Sequence, residues 1–378
     1  MNFHLLWITE NYFPSKGGMA ESCDRIVYHL RQRGVTVDVL YFSQRATRIQ
    51  HEIVQGGKTL TFPIEEEMAH SFNLAWNFLE NYEEKTRFTH LVAFGGFAPL
   101  VCSPIYAAWL DLPLITLIRG NDFDAGIFYP RRRAILQDAL QSSACVCSVS
   151  KDKIWKINRL YPQVNTAYTP NGIDLDNWHL LASDRQRAHE WRNENVEPGR
   201  RVIGLFGQLK AKKGVQFFLR ALGISAWAPQ AHLLFIGDLN EEIEDFLKDY
   251  QEHFSYSQYE FMDRFSLLPY YAVCDVIAIP SYYDGLPNVL MEAGALGIPF
   301  IASKVAGMAD VLEDQKHGFL FQPGDTKDCA RAIHEFFQAN ELVLKDMGNQ
   351  CYLTIKTQLS HTQECDRYLE VFENYAKK

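Results

Sequence analysis

Short apolar stretches alternate with amphipathic stretches of helical period along the whole chain. The apolar stretches are nearly continuous, which is typical of strands that are covered on both faces in a parallel sheet. Strands of this kind in alternation with helices predict doubly wound α/β sheets. The predicted strands are residues 3–9, 35–42, 90–96, 113–118, 144–150, 201–207, 232–238, 257–263, 275–281, 299–303 and 318–323.

The pattern restarts after residue 170, which predicts two domains. Residues 168–178, YTPNGIDLDNW, carry the Pro, Asn and Gly signals of a turn, and a polar segment, 182–201, follows as an amphipathic helix and a loop. A chain of 378 residues also exceeds the length of most single cores. We therefore predict two Rossmann-like, doubly wound domains, 1–170 and 171–360, that face a central cleft, with the ligand at the carboxyl ends of the strands.

The net charge, the N-terminal stretch, the lengths of the apolar runs and the spacing of the cysteines argue against several classes of protein. The formal net charge of −9 argues against a nucleic-acid partner. The N-terminal stretch MNFHLLWITENYFP has no basic start and no small-residue cleavage site, so we interpret it as a strand and not as a signal peptide. No apolar run approaches the ~20 residues of a membrane span. The eight cysteines are scattered without metal-ligand spacing, and buried, reduced thiols in a cytoplasmic protein are the simplest interpretation.

A glycine turn follows the first predicted strand, in the segment ENYFPSKGGMAESCDRIVYHLRQRG. Gly17 and Gly18 precede a predicted helix over residues 19–33. Two glycines let the backbone approach a ligand closely, and a helix N-terminus offers N–H groups to an anion. The spacing is not Gly-x-Gly-x-x-Gly, so the dinucleotide fingerprint is absent. Phosphate binding and a plain strand–helix turn both remain open here.

A basic loop opens the second domain, in the segment GLFGQLKAKKGVQFFLRAL. Lys210, Lys212 and Lys213 lie between the end of a predicted strand and the start of a helix near Gly214. Cations at the carboxyl end of a strand and beside a helix N-terminus suit a diphosphate. A solvated charge cluster is the alternative.

Two acids flank a predicted helix start in PSYYDGLPNVLMEAGALGIPF, residues 280–300. Asp284 lies in the loop, Pro287 is placed in the first helical turn, and Glu292 follows one turn into the helix. The amides around the helix start point outward and can bind an anionic or hydroxyl-rich ligand. Two acceptors beside these donors suit a polyol attached to phosphates. The alternative is that Asp284 caps the helix and Glu292 is a solvated surface residue.

Five segments in order resemble glycosyltransferase family 4, whose members are retaining, nucleotide-sugar-dependent enzymes of the GT-B architecture. Residues 280–300 are similar to the family signature, in which an acid and a Glu are separated by seven residues. The resemblance extends along the chain and is dense from 168 to 325. The other similar segments are PNGID (170–174), FGQLKAKKG (206–214), LLPYYAVCDVIAIPS (267–281) and VAGMADVLEDQKHGFLFQPGD (305–325).

The resemblance implies roles for the residues of the signature. Asp284 takes the place of the acid that holds the sugar hydroxyls, and Glu292 takes the place of the Glu that binds the ribose hydroxyls. The backbone between the two acids is implied to hold sugar and phosphate. This stretch consists of Gly285, Leu286, Pro287 and Asn288.

The resemblance also implies phosphate contacts outside the signature. Lys213 matches the lysine that pairs with the diphosphate, and Gly17 and Gly18 match the turn that approaches the phosphate from the other domain. Gln208 stands where the family has a phosphate-binding Arg, which removes one fixed charge that Lys210 or Lys212 can replace.

The family's His-Gly-x-Asp segment is similar to TLIRGNDFD, residues 116–124. Arg119 stands in place of the His and Asp122 in place of the Asp, and we assign both, with Asp284 and Lys213, to the catalytic set. A guanidinium does not act as a base at neutral pH, but it can hold a hydroxyl or a phosphate. The first acid of the signature also departs from the family, because Asp284 stands where Glu is usual.

Taken together, the resemblance implies a metal-independent retaining hexosyltransferase without a cofactor, whose donor substrate is a nucleoside diphosphate sugar. The N-terminal domain would bind a glycan or lipid-linked acceptor, the C-terminal domain would bind the donor, and the last helix, 361–378, would pack back on the first domain. Residues 129–140, YPRRRAILQDAL, form a basic, partly amphipathic segment that suits an anionic acceptor or the inner face of a membrane, or is simply a solvated helix.

Three other functions remain as alternatives. A glycoside hydrolase would use Asp284 and Glu292 as its carboxylate pair, but it leaves the lysine loop without a role. A non-catalytic or impaired nucleotide-sugar-binding protein is suggested by Gln208 and Arg119. A nicotinamide oxidoreductase is disfavoured by the missing glycine fingerprint.

Overall fold

The computed structural model describes residues 3–15, 17–239, 241–250 and 254–377. The chain forms two compact units. The first unit comprises Met1–Asn171 with His361–Lys378, and the second comprises Gly172–Ser360. Each unit is an α/β domain built around a mainly or wholly parallel sheet.

The first unit contains an eight-stranded sheet of order β3-β4-β2-β1-β5-β6-β7-β8. All neighbouring strands are parallel except β3 and β4, which form an antiparallel hairpin at one edge. The strands are β1 (His4–Thr9), β2 (Thr36–Ser43), β3 (Gln50–Val54), β4 (Gly57–Pro63), β5 (His90–Phe94), β6 (Leu114–Ile118), β7 (Cys145–Ser148) and β8 (Thr166–Tyr168).

Within the described residues, helices of the N-terminal segment cover both faces of this sheet, which explains why its central strands consist mostly of apolar residues. The order of strands reverses between β1 and β5, so the loops after these two strands meet at a topological switch point. The helices are α1 (Gly18–Gln32), α2 (Met68–Glu80), α3 (Ala98–Leu110), α4 (Asn121–Asp124), α5 (Pro130–Ser142) and α6 (Lys151–Leu160).

The second unit contains a six-stranded, fully parallel sheet of order β11-β10-β9-β12-β13-β14. Its switch point lies between β9 and β12, which are neighbours in the sheet although two other strands separate them in the chain. The strands are β9 (Arg201–Phe206), β10 (Ala231–Ile236), β11 (Ser255–Tyr259), β12 (Val276–Ile279), β13 (Phe300–Ser303) and β14 (Gly318–Phe321).

Two helical layers cover this second sheet. One apolar core joins α7, α10, α11 and α14 to one face, and another joins α8, α9 and α13 to the opposite face. The helices are α7 (Ala182–Asn195), α8 (Val215–Gly223), α9 (Glu241–Tyr250), α10 (Arg264–Val273), α11 (Asn288–Ala295), α12 (Ala306–Ala309), α13 (Thr326–Gln338) and α14 (Glu341–Gln358).

The chain returns to the first unit through α15 (His361–Asn374). This helix packs beside α1, where Tyr368 and Phe372 are fully buried in the core shared with β1 and β5. A buried ion pair holds the two helices together: the Arg25 guanidinium donates to the Glu364 carboxylate, with N–O distances of 3.1 and 3.2 Å.

The parallel sheets confirm the predicted fold class, and the differences from prediction have local causes. The strand predicted over 257–263 is wrong in its second half, because Asp263 accepts hydrogen bonds from the amides of Phe265 and Ser266 and so caps α10. Pro287 immediately precedes α11 and does not lie in its first turn. Strands β3, β4 and β8 were not predicted.

The eight cysteines are all buried and unbridged, as predicted for small apolar side chains. Among the described residues, no helix combines the length and the apolar character that crossing a membrane requires.

Candidate functional site

The switch point of the second unit brings together two loops that the sequence predicts to bind the donor. Strands β9 and β12 are in parallel register, with Val276 beside Ile203, so the loops that follow them leave the same edge of the sheet. The amide of Tyr282, after β12, donates to the carbonyl of Lys212, after β9, over 2.9 Å. The two loops are therefore joined through their main chains.

Gly214 allows this close approach. Its φ of +65° lies in the left-handed region, and a Cβ at this position would stand 2.1 Å from the carbonyl oxygen of Pro280. A side chain at residue 214 would thus push the basic loop away from the loop after β12. The same residue precedes α8, so it also sets where that helix begins.

Lys213 and Asp284, which the sequence assigns to the site, form an ion pair across the two loops. The other carboxylate oxygen of Asp284 accepts the amide of Gly285 over 2.9 Å. The Lys213 side chain is 25% exposed and that of Asp284 is 14% exposed, so both charged ends are near the surface of the sheet edge. A lysine and a carboxylate in this position can exchange their mutual contact for contacts to a phosphate and to hydroxyl groups.

The N-terminus of α11 adds backbone donors beside this pair. The first amides of a helix have no partner within the helix, and a negatively charged group is stabilised there. Gly285, Leu286 and Pro287 are buried and fix the approach to the helix, while Asn288 is half-buried at its first position. The predicted stretch between the two acids thus leads directly into the start of an eight-residue helix.

Glu292 lies half-buried on the same helix, and its carboxylate accepts a hydrogen bond of 2.6 Å from the hydroxyl of Tyr271. Tyr271 is fully buried, and its ring packs edge-on against Phe206 at 4.7 Å between centroids. The sequence did not assign Tyr271 to the site, although it lies in the segment 267–281 that resembles the family. Its contact fixes the orientation of the Glu292 carboxylate.

Two cavities flank the basic loop of the second unit. A small one, of about 20 Å³, lies at the carboxyl ends of β9 and β12 and is lined by Lys213, Ser281 and Pro287. A larger one, of about 280 Å³, lies beyond the loop and is lined by Lys210, by residues of α8 such as Arg220, and by Ile243 and Thr326. The first is the one that adjoins Lys213 and the start of α11, so we place the site there.

The remaining residues predicted for the basic loop differ in exposure. Gln208 and Lys210 are exposed, and Lys212 is half-buried with its ammonium 5.4 Å from the centre of the Tyr283 ring. Within the described part of the second unit, no three His, Cys, Asp or Glu side chains are close enough to share a metal ion. The predicted metal independence stays a prediction.

In the first unit, the predicted residues gather around the loop after β5. A Cβ at Gly95 would lie 2.7 Å from Met19 Cε, 2.9 Å from Arg119 Cγ and 3.3 Å from Asp122 Oδ2. Gly17 and Gly18 form the N-cap and the first residue of α1, next to Met19. The structure thus brings the glycine turn and the Arg119–Asp122 segment to one edge of this unit.

Asp122 shapes the turn that contains it. Its carboxylate accepts the amides of Arg119 at 2.8 Å, Gly120 at 2.7 Å and Phe123 at 3.0 Å. Burial of the carboxyl group raises the pKa of Asp122, and the three N–H donors act in the opposite direction. These contacts hold the start of α4, and a catalytic role for Asp122 stays a prediction.

Arg119 is engaged inside the first unit. Its guanidinium donates to the hydroxyl of Tyr368 over 3.2 Å and to the side-chain oxygen of Asn171, and it lies 5.0 Å from the centre of the Phe94 ring. It thereby links the end of β6 to α15 and to the last residue of the N-terminal segment. A contact of Arg119 with substrate stays a prediction.

Glu10 is a residue of this edge that sequence reasoning missed. It directly follows β1, and its two carboxylate oxygens accept the amides of Phe97 at 2.9 Å and Ala98 at 2.8 Å. The protein's own carboxylate thus occupies the N-terminus of α3. The only signal in the sequence was an acid immediately after the first strand.

Comparisons with known proteins agree with this architecture. The chain is 25% identical over 275 residues to sulfoquinovosyl transferase SQD2 of Arabidopsis thaliana, a match that covers 66% of this chain and 49% of that protein. It is 26% identical over 375 residues to a D-inositol 3-phosphate glycosyltransferase of Corynebacterium jeikeium, covering 87% and 84%. The chain thus spans about half the length of the first relative and most of the second.

A solved structure shows the same fold. HepE of Anabaena, in a complex with UDP-glucose, superposes with a TM-score of 0.78 at 16% identity, over 99% of this chain and 100% of that one. The sequence model "Glycosyltransferase Family 4" matches residues 16–177, and "Glycosyl transferases group 1" matches residues 200–339. These two matches cover about four fifths of the sequence, and the chain belongs to the family 4 type of glycosyltransferases with the GT-B fold.

Proposed function

We propose that this chain is a retaining glycosyltransferase that transfers a hexosyl group from a nucleoside diphosphate sugar to a hydroxyl group of a glycan, a lipid-linked glycan or a small glycoside. The observation that carries the proposal is the Lys213–Asp284 pair beside the N-terminus of α11, at the switch point of the second unit. Such a switch point is where open α/β sheets bind their ligands.

In the proposed site, a cation and backbone donors bind the diphosphate of the donor, and carboxylate acceptors bind the hydroxyl groups of its two sugars. The Lys213 ammonium and the first amides of α11 bind the diphosphate, Asp284 accepts from the sugar hydroxyls, and Glu292 accepts from the ribose hydroxyls. The hydroxyl of Tyr271 keeps the Glu292 carboxylate in position. HepE, whose complex holds UDP-glucose, and the D-inositol 3-phosphate glycosyltransferase support a donor and a reaction of this class.

The reaction breaks the bond between the anomeric carbon and the diphosphate oxygen and forms a bond from that carbon to the acceptor oxygen on the same face. Negative charge grows on the departing diphosphate, and Lys213 with the helix amides stabilises it without reorganisation. The acceptor hydroxyl gives its proton to the departing phosphate oxygen. Lysine and amides neutralise the leaving group, so the proposed reaction needs no metal ion and no cofactor.

Thermal stabilisation by nucleotides tests donor binding. A ligand that binds only the folded state at 100 times its Kd stabilises it by about 2.7 kcal/mol, so the correct nucleoside diphosphate among UDP, GDP and ADP raises the melting temperature. The Glu292→Ala variant should lose this response, whereas Glu313→Ala, at an exposed glutamate of the same unit, should keep it. Absence of a response to all three nucleotides in the wild-type protein would contradict the proposal.

A second candidate, a nucleotide-sugar-binding protein without transfer activity, is favoured by Arg119, whose guanidinium is engaged with Tyr368 and Asn171. Donor consumption separates the two functions. The transferase consumes the bound sugar nucleotide faster when hydroxyl acceptors are added, whereas the binding protein gives the thermal shift and leaves the donor intact. A glycoside hydrolase would release sugar from a glycoside without any nucleotide.

A further inference from the structure

An exposed aromatic and basic patch lies on the first unit, just after the Arg119–Asp122 turn. Phe128 is 82% exposed and Tyr129 is 60% exposed, which is unusual for large apolar side chains. Three consecutive arginines follow on the first turn of α5, and all of them are exposed. We call this surface the Phe128 patch; it consists of Phe97, Phe128, Tyr129, Arg131, Arg132 and Arg133.

The members of the Phe128 patch are contiguous in space. The Arg132 guanidinium lies 5.8 Å from the centre of the Tyr129 ring and 6.0 Å from the centre of the Phe97 ring. Phe97, which is 37% exposed, precedes α3, and α3 packs beside α5. The patch therefore joins the loops after β5 and β6 at the carboxyl edge of the sheet.

The composition of the patch distinguishes between possible partners. A soluble anion needs cations but gains nothing from an exposed phenylalanine. Aromatic side chains beside arginines match the boundary between the headgroups and the acyl chains of an anionic bilayer. Arginine contacts the headgroup phosphates there, while the rings enter the boundary region.

We propose that the Phe128 patch docks the first unit on the surface of a membrane that contains anionic lipids. The proposal deepens the proposed function and rests on it, since it selects the lipid-linked class among the possible acceptors. Docking through this patch places the loop after β6 at the lipid surface, next to the headgroup of an acceptor anchored there.

Co-sedimentation with vesicles tests the docking on the full chain. We expect the protein to sediment with vesicles of phosphatidylglycerol and phosphatidylcholine and to remain in solution with vesicles of phosphatidylcholine alone. Because the attraction is partly electrostatic, raising the salt concentration from 0.05 to 0.5 M should weaken the binding. Equal binding to neutral and anionic vesicles, or none to either, would overturn the proposal.

Two variants separate the basic and the aromatic parts of the patch. Replacing Arg131, Arg132 and Arg133 by Gln should reduce the partition coefficient about 100-fold, since each basic residue contributes roughly a fivefold gain at an anionic surface. Phe128→Ser should reduce it about 10-fold. The matched controls are R45Q/R48Q and Ile53→Ser, which change exposed residues of the same unit and should leave the partition unchanged.

Two further outcomes are decisive. Release of the protein by glycerol phosphate, at the phosphate concentration of the vesicles, would show a site for soluble anions and overturn the membrane proposal. Failure of docking is also distinguishable from failure of the proposed function, because the nucleotide thermal shift needs no vesicles. If the protein responds to a nucleoside diphosphate but does not bind anionic vesicles, the proposed function is retained and the membrane proposal is overturned.

Discussion

The carboxyl edges of the two sheets use charged residues in opposite ways. In the second unit, Lys213 and Asp284 pair with each other at the edge of the sheet, with 25% and 14% of their side chains exposed. In the first unit, Asp122 accepts three backbone amides, and Arg119 is bound to Tyr368 and Asn171. At one edge the two charged side chains contact each other, and at the other edge they hold the loops of their own unit.

This difference shows that the position of a residue in a family motif does not by itself determine the role of its side chain. Both pairs were assigned to catalysis from the same resemblance, but their contacts differ in kind. A carboxylate that satisfies three amides of its own turn cannot leave them without cost, since an unpaired buried N–H costs about 1–3 kcal/mol. An ion pair between partly exposed side chains can reorganise cheaply, because its net contribution is about 0–1 kcal/mol.

Replacing Lys213 by Ala should have the largest effect on activity. We expect kcat to fall about 100- to 1000-fold, as for the loss of one group that stabilises developing charge, and the melting temperature to change little. Turnover of the sugar nucleotide by the purified variant measures this. The control is Lys327→Ala, at an exposed lysine on α13. Turnover within a few-fold of the wild type would mean that Lys213 does not contact the diphosphate.

Replacing Asp122 by Ala should mainly reduce the stability of the first unit, and its direct effect on the transfer reaction should be smaller. Loss of the three acceptor contacts should destabilise the first unit by about 2–4 kcal/mol, and Asp122→Asn, which keeps one acceptor oxygen, should be intermediate. Hydrogen exchange at the amides of Gly120 and Phe123 reports the change locally. A variant that folds as stably as the wild type and is inactive would instead establish a direct role in transfer, and the contrast between the two edges would fail.

Replacing Arg119 by Ala should destabilise the attachment of α15 by about 1–2 kcal/mol, because two hydrogen bonds are lost. A double-mutant cycle with Tyr368→Phe measures the part that belongs to the Arg119–Tyr368 contact. If the two substitutions are additive in stability, the contact in the fold contributes nothing, and Arg119 becomes available again as a substrate-binding residue.

The second unit should also lose stability in mild acid. Burial lowers the pKa of His232 to about 4, and the nearby Arg200 and Arg192 act in the same direction, while two serine hydroxyls contact its ring. In the unfolded chain His232 takes up a proton near pH 6.5, whereas in the folded chain it stays neutral until the pH approaches 4. The contribution of His232 to the free energy of unfolding is therefore fully present above pH 6.5 and is lost as the pH falls toward 4. Between pH 7 and 5.5 we expect a loss of about 1 kcal/mol. Melting curves of the wild type and His232→Gln should converge across this range, and parallel curves would contradict the assignment.

Strands that are buried on both faces could be predicted from the sequence, because burial requires apolar residues. Strands such as β9 and β10 are covered on both faces, so all their residues except Arg201 and His232 are non-polar. Strand β3 is almost wholly exposed and shows no such run, which is why the edge hairpin was missed. Strand β8 has only three residues, too few for any period to be visible.

The site was predictable where a motif of the family assigns a residue to it, and not where the packing of other elements supplies the partner. The resemblance assigns Lys213 and Asp284 to one site, and the structure joins them because each follows a strand at the switch point. The partners of Glu292 and Arg119 could not be predicted, because nothing in the sequence around Tyr271 or Tyr368 marks a contact that arises from the packing of α10 and α15. The contact of Glu10 with α3 likewise spans 87 positions.

The absence of a side chain at residue 214 has a consequence for attempts to redesign this protein. The carbonyl of Pro280 occupies the space that any β-carbon would need, so a saturation library at this position should return glycine alone. Altered sugar preference would have to be sought at neighbours whose side chains reach solvent, such as Gln208 and Tyr283. The close backbone contact at residue 214 therefore fixes the distance between Lys213 and Asp284. Substitutions at neighbouring positions can change the side chains around this pair, but they cannot easily move the two residues apart.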